Sequence, residues 1–224
     1  MRVVVLISDH SAFGETSLIT HDSNDPLEPC IRIPYGDPAF PMRRNMPALA
    51  IWSPEDGVLG AVAPLGLAAA SGTALVVDLD PNGPNYPGGS SLAALVADGP
   101  RKSDLQPVRK GVAVLANGGI EPEDAEAVLD AIVGGWPAVV LRLPASHEGR
   151  TGAIPVLPLV PGDLFRQYEP PAVYQRSGWR VEPPRGAIVL PRPRRATIGM
   201  LLAGAAPPPR DRWVAAWRRL WEQS

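Results

Sequence analysis

The residues best spaced for chemistry are two carboxylates at the end of an apolar run, Thr73-Ala74-Leu75-Val76-Val77-Asp78-Leu79-Asp80-Pro81. Paired aspartates at the end of a strand suit a divalent cation. Upstream, Trp52-Ser53-Pro54-Glu55-Asp56-Gly57-Val58-Leu59-Gly60-Ala61 joins another apolar run to an alanine-rich stretch. A loop so placed cradles phosphate when glycines turn successive N–H groups inward, a helix N-terminus adds partial positive charge and a lysine reaches the terminal phosphates. This loop carries Glu55 and Asp56 instead. A unit-charge pair roughly 4 Å apart is worth about 4 kcal/mol at an effective dielectric near 20, so the acids turn attraction for a polyanion into repulsion of similar size. The plain alternative is an ordinary strand-to-helix turn, with Asp78 and Asp80 as polar residues at a strand end.

Other chemistry has little to work with. The single cysteine, Cys30, excludes an internal disulfide framework and a cysteine-based zinc cluster. His10, His21 and His147 are scattered, so no metal site is expected. Ser11 beside His10 and Ser146 beside His147 are neighbours in sequence, and adjacent residues do not present their side chains together. Ser11-Ala12-Phe13-Gly14-Glu15-Thr16-Ser17-Leu18 lacks a glycine-rich lead-in and reads as a turn or surface loop.

The elements that would hold these residues are short β-branched runs, apolar at consecutive positions as strands covered on both faces are. They are Arg2–Ile7, Ala48–Trp52, Ala74–Asp78, Gly111–Ala116, Ala138–Leu143, Ala153–Leu157 and Ala187–Leu190. Helices are expected over Ala61–Ala70, Ser90–Ala97, Pro122–Val133 and Ala196–Ala203. Pro122 with Glu121, Glu123 and Asp124 opens the third, and Gly134-Gly135 closes it. Strands alternating with helices imply an α/β fold, an open and mostly parallel sheet with helices on both faces. Residues 20–47 and 158–185 are proline-rich and read as irregular excursions within an α/β domain spanning 1–204. Residues 205–209 form a proline-rich spacer before a tryptophan-rich amphipathic helix at 210–224.

The order strand, glycine-containing loop, alanine-rich helix and strand ending Asp78-x-Asp80-Pro81 resembles the start of the MinD/ParA family of P-loop ATPases. Residues Gly111–Leu115 resemble the family's next strand, and Trp136–Pro144 the strand bearing its D-x-P motif. In this register the family's signature lysine falls on Glu55 and its first glycine on Asp56, while Gly57 is kept. Leu59 falls on the next glycine, Gly60 on the P-loop lysine, and Ala61 on the magnesium-binding hydroxyl. The acidic residue before x-Pro falls on Arg142, the degenerate Walker B position. The resemblance therefore implies a P-loop NTPase-like fold whose phosphate-handling groups are lost together, as in TadZ/CpaE-like pseudo-ATPases. Asp78 and Asp80 are what it leaves as residual metal or nucleotide contacts.

Charge is uneven along the chain. From residue 140 onward, 13 arginines face six acids, giving +7, whereas residues 1–139 carry eight basic and 17 acidic residues, giving −9. Such asymmetry suits an acidic partner, a membrane surface or head-to-tail self-association, unless it reflects genome composition. No basic domain with interleaved aromatics is present, so nucleic acid is not an expected partner. Trp213, Trp217 and Trp221 follow one another at helical spacing beside Val214 and Leu220, with Arg212, Arg218 and Arg219 on other sides. This stripe, with Arg218, fits a partner protein, a second copy or a membrane interface, and fits equally its own core.

No run approaches the ~18 apolar residues of a membrane span, and the N-terminus lacks a signal-peptide cleavage site, so a cytoplasmic protein, peripheral at most on a membrane, is expected. The reading that results is a non-catalytic MinD/ParA-like protein without cofactor, acting in assembly, positioning or scaffolding through protein contacts, with a homodimer expected. Its alternatives are a divergent ATPase using Asp78 and Asp80, and a structural subunit of a larger complex.

Overall fold

Seven short strands pair side by side: β1 (Ala48–Trp52), β2 (Thr73–Asp78), β3 (Gly111–Leu115), β4 (Val139–Arg142), β5 (Ile154–Leu159), β6 (Val173–Arg176) and β7 (Ile188–Leu190). The structure, a computed structural model, describes residues 48–54, 58–84, 86, 88–105, 107, 110–147, 152–162, 168, 171–208 and 210–223. All of these belong to the unit Ile33–Ser224, the other unit being Met1–Arg32. The expected strand Arg2–Ile7 and the excursion at 20–47 lie outside the described residues, as do Glu55, Asp56 and Gly57.

The strand order is β3-β2-β4-β1-β5-β6-β7, and every neighbouring pair is parallel. All seven strands therefore end on one rim. The helices are α1 (Val58–Ser71), α2 (Leu92–Asp98), α3 (Lys102–Leu105), α4 (Glu126–Gly135), α5 (Arg195–Leu202) and α6 (Arg212–Gln223), with a 3-10 turn at Pro122–Ala125 leading into α4. The helix expected over Pro122–Val133 thus starts one turn later as an α-helix.

One face of the sheet packs Ala74, Val76, Ala138 and Val140 against α1, α5 and α6. The other packs Leu75, Val77, Val139 and Leu141 against α2 and α4. Alternate residues serve opposite faces, as the pleat requires. Helix α1 is apolar all round, from Leu59 to Ala68, because it is sandwiched between the sheet and α6.

The stretch 158–185, expected to be irregular, contains the end of β5 and all of β6. The strand expected over Ala153–Leu157 is found as β5, running two residues further; Pro158 hid that end, since proline cannot donate to a ladder. The strand tolerates Pro155 and Pro158 by changing partners: it pairs with β1 only over Ile154–Pro155 and with β6 from Val156 to Leu159. Among the described residues no helix is long and apolar enough to cross a membrane.

Candidate functional site

The expected site lies on the rim where β1, β2 and β4 end. Register decides its content. Asp78, the last residue of β2, stands opposite Arg142, the last of β4, and Arg142 stands opposite Ile51 of β1. Both Asp78 and Arg142 share the parity of Val76 and Val140, so both point to the α1 side.

There they meet. Arg142 Nη1 donates to Asp78 Oδ1 at 2.8 Å and to Asp80 Oδ2 at 3.0 Å, and Arg142 Nε donates to the Gly60 carbonyl at 3.3 Å. The three charged residues are buried, Arg142 at 2%, Asp78 at 1% and Asp80 at 3% exposure. The turn that follows β2 is built on the same aspartates. Asp78 Oδ1 accepts the Asp80 N–H at 3.1 Å, Asp80 Oδ1 accepts the Asn82 N–H at 3.0 Å, and the Gly83 N–H donates to the Asp80 carbonyl at 2.9 Å. Gly83 closes over the ion pair so tightly that a Cβ there would fall 2.5 Å from Asp78 Oδ2 and 2.6 Å from Arg142 Nη1. Tyr86 reaches across from the same loop to donate its hydroxyl to the Ala61 carbonyl at 2.7 Å.

Electrostatics follow from this burial. Desolvation, the largest influence, pushes the Asp78 carboxyl above its ordinary 3.8, against the pull of the Arg142 guanidinium. Burial also works against the Arg142 charge, but Asp78 outweighs it and holds the guanidinium protonated beyond its ordinary value. A buried carboxylate pair without a cation between it would be costly, and here Arg142 is that cation.

A magnesium–nucleotide complex does not fit the described residues. Both carboxylates are committed to Arg142 and to backbone N–H groups, so neither is turned toward a metal ion. Beside Arg142 the cavity lined by Trp52, Ser53, Gly60, Pro64 and Leu143 measures about 10 Å³. That is room for about one water, where small-molecule sites run to roughly 300 Å³ and more. Gly60 sits buried in the first turn of α1, with its carbonyl taken by Arg142, and Ala61 is half-buried in the same turn. Among the described residues no group of His, Cys, Asp and Glu is placed to hold a metal ion.

The tryptophan stripe is elsewhere and turned inward. Trp213 and Trp217 are buried in the core on the α1 side, stacked edge-on with centroids 5.7 Å apart. Trp213 Nε1 donates to Gln175 Oε1 at 2.7 Å, and the half-buried Trp221 donates through Nε1 to the Leu67 carbonyl at 2.8 Å. Gly66 of α1 makes this possible: a Cβ there would collide with the Trp213 ring and lie 2.7 Å from Trp217 Nε1. The face offered to a partner or bilayer is thus occupied by α1 of the same chain, and of the four residues named for that contact only Arg218 is exposed. Asp211 caps α6, accepting the Trp213 and Val214 N–H groups through Oδ1 while Thr197 of α5 donates to Oδ2 at 2.6 Å.

Sequence reasoning missed Pro64, Gly66, Gly83 and Tyr86. The signal for Pro64 was present, since a proline inside a helix always leaves one carbonyl to be satisfied from outside.

No protein-family model matches this chain, and no curated protein matches it. Among solved structures, it is similar to a ParA family ATPase from Chlorobium tepidum TLS, with 14% identity over 80% of this chain and 93% of that chain and a TM-score of 0.48. A likeness at that identity and score assigns no activity.

Proposed function

We propose that this chain is a non-catalytic protein of MinD/ParA type, acting in assembly or positioning through protein contacts rather than by turning over a nucleotide. The observation that carries the reading is the buried Arg142–Asp78–Asp80 cluster. An arginine supplies internally the positive charge that magnesium and a lysine supply in a working phosphate site, and it ties the strand ends to α1 through the Gly60 carbonyl. The ends of β2 and β4 are tied to each other and to α1 by the chain's own side chains. Support also comes from the surviving Asp78-Leu79-Asp80-Pro81 turn and from β4 lying between β1 and β2, the topological switch point of the sheet. The divergent-ATPase alternative requires Asp78 and Asp80 to be released from Arg142 before either could hold a metal.

The test is isothermal titration of the full chain with ATP and with ADP in the presence of Mg²⁺. No binding up to millimolar nucleotide is expected. Binding at sub-millimolar concentration overturns the reading.

A further inference from the structure

The last two strands deliver their arginines to one place. In parallel β6 and β7, Gln175 stands opposite Leu190, so Arg176 and Pro191 leave the sheet side by side. Gln175 Nε2 donates to the Pro191 carbonyl at 2.9 Å and joins the two exits. Residues 177–181 continue from one, and Pro191-Arg192-Pro193-Arg194 runs from the other straight into Arg195, the first residue of α5. Arg176, Arg180, Arg192, Arg194 and Arg195 are all exposed. Among the described residues none of these five is in an ion pair. Glu182 is the one acid in residues 176–195. Asp211, whose carboxylate feels the Arg194 charge, is buried and committed to the α6 cap and to Thr197.

The backbone beneath these side chains is pre-set. Pro191 and Pro193 fix φ at alternate positions, and Arg194 is extended at φ −77° and ψ 149°. The turn beside it is pinned. Ser177 donates its hydroxyl to the Leu159 carbonyl, the Trp179 N–H donates to Ser177 Oγ at 3.4 Å, and Arg192 Nε donates to the Ser177 carbonyl at 2.8 Å. Val181 then packs back onto the cluster of Leu157, Leu159 and Tyr174. Between these anchors Trp179 stands out at 62% exposure, in contrast to the buried tryptophans of α6. Arginines around one fixed aromatic ring have the make-up of a protein-binding hot spot that loses little entropy on docking.

Charge and shape together name the partner. Guanidiniums without a counter-ion take carboxylates two-pronged. A bilayer anchor needs a broad apolar face, and a single strand of nucleic acid needs several rings to stack on, whereas this patch offers one ring. Among the described residues the other exposed large apolar side chains are Val58, which opens α1, and Leu202, which closes α5. We infer that the surface around Trp179 receives an acidic segment of a partner protein, its carboxylates on the arginines and an apolar side chain against the indole. The inference rests on the reading that the chain works through protein contacts, and it gives that reading a surface and a partner chemistry.

Fluorescence anisotropy of a labelled glutamate-rich peptide with a central leucine, titrated with the full chain at low and high NaCl, tests it. Saturable binding is expected, with a dissociation constant that rises about tenfold in high salt. Arg176→Glu/Arg180→Glu should abolish binding with unchanged circular dichroism. Trp179→Ala should weaken it about tenfold, and Trp179→Phe far less. Arg101→Glu/Arg219→Glu, the same change of charge at exposed positions on other elements, should bind as the wild type does. The inference is overturned by no saturable binding at low salt, by equal loss in both charge reversals, or by indifference to Trp179→Ala. Tighter binding to phosphatidylglycerol vesicles or to an oligothymidylate, lost in the same variants, overturns it too. Nucleotide binding by calorimetry beside intact peptide binding would defeat the functional reading alone. Failure of the peptide arm without nucleotide binding would defeat only this inference.

Discussion

Pro64 stands four residues after Gly60 in α1 and has no N–H to offer its carbonyl; the carbonyl accepts from Arg142 Nε at 3.3 Å instead. The defect in the helix and the arginine on β4 answer each other. Arg142 satisfies an orphaned backbone acceptor and two buried carboxylates with one side chain, which gives it a structural role at the end of β4.

Removing that side chain strands what it pairs. Arg142→Met should destabilise the protein by about 3–5 kcal/mol, the range for breaking a buried ion pair from one side. Adding Asp78→Asn and Asp80→Asn should recover most of the loss, because amides can be buried without a counter-charge. Urea unfolding followed by circular dichroism measures both. A single variant as stable as the wild type would mean that the cluster contributes nothing to the fold.

Trp213 and Trp217 are equally buried but unequally satisfied. Trp213 Nε1 has Gln175, whereas Trp217 Nε1 is buried without a partner. Trp213→Phe should therefore cost about 1 kcal/mol more than Trp217→Phe, since the first loses a hydrogen bond and the second relieves an unmet donor. Thermal unfolding of the two variants compares them directly. Equal losses would show that packing volume alone governs both positions.

Asp211 ties α6 to α5, and its ionisation should be visible in acid. Burial works to raise its carboxyl, but the hydrogen bonds from Thr197, Val214 and Trp213 prevail and hold it below its ordinary 3.8. With the folded value lower than the unfolded one, the carboxylate stabilises the fold above about pH 4, and that stability is lost as pH falls through the depressed value. Asp211→Asn should cost about 1 kcal/mol at neutral pH, and the cost should shrink as pH falls below 3.8 through the depressed value. Buried Asp78, shifted upward, acts with the opposite sign, its contribution growing as pH falls from neutral toward 3.8. Unfolding free energies of wild type and variant across this range read the difference. A cost for Asp211→Asn that stays constant with pH would assign the effect to shape rather than charge.

Much of the scaffold was legible because a strand covered on both faces must be apolar at consecutive positions, and β1 to β5 and β7 are written that way. β6 was not, because only Val173 and Tyr174 of its four residues are fully buried, while the polar Gln175 is half-buried against Trp213 and Arg176 is exposed. The rim was half legible. The residue types at Gly60 and Arg142 suggested a degenerate phosphate site, but the ion pair itself was not legible, since Arg142 meets Asp78 and Asp80 across 64 and 62 residues of chain. Strand parity held the clue: Asp78 and Arg142 close runs whose alternate members face one side. The tryptophan stripe could not be resolved from its own helix, because an apolar face has the same sequence whether it covers a partner, a bilayer or α1. The deciding residue was Gly66, on the other helix.

The docking of α6 on α1 sets an order of events for a nascent chain. Trp221 meets Leu67 across 154 residues, so the apolar back of α1 has no cover while everything between them is being translated. Ribosome stalling or premature termination anywhere in that interval would release a polypeptide with a sticky helix, a substrate for chaperones and proteases rather than a smaller working protein.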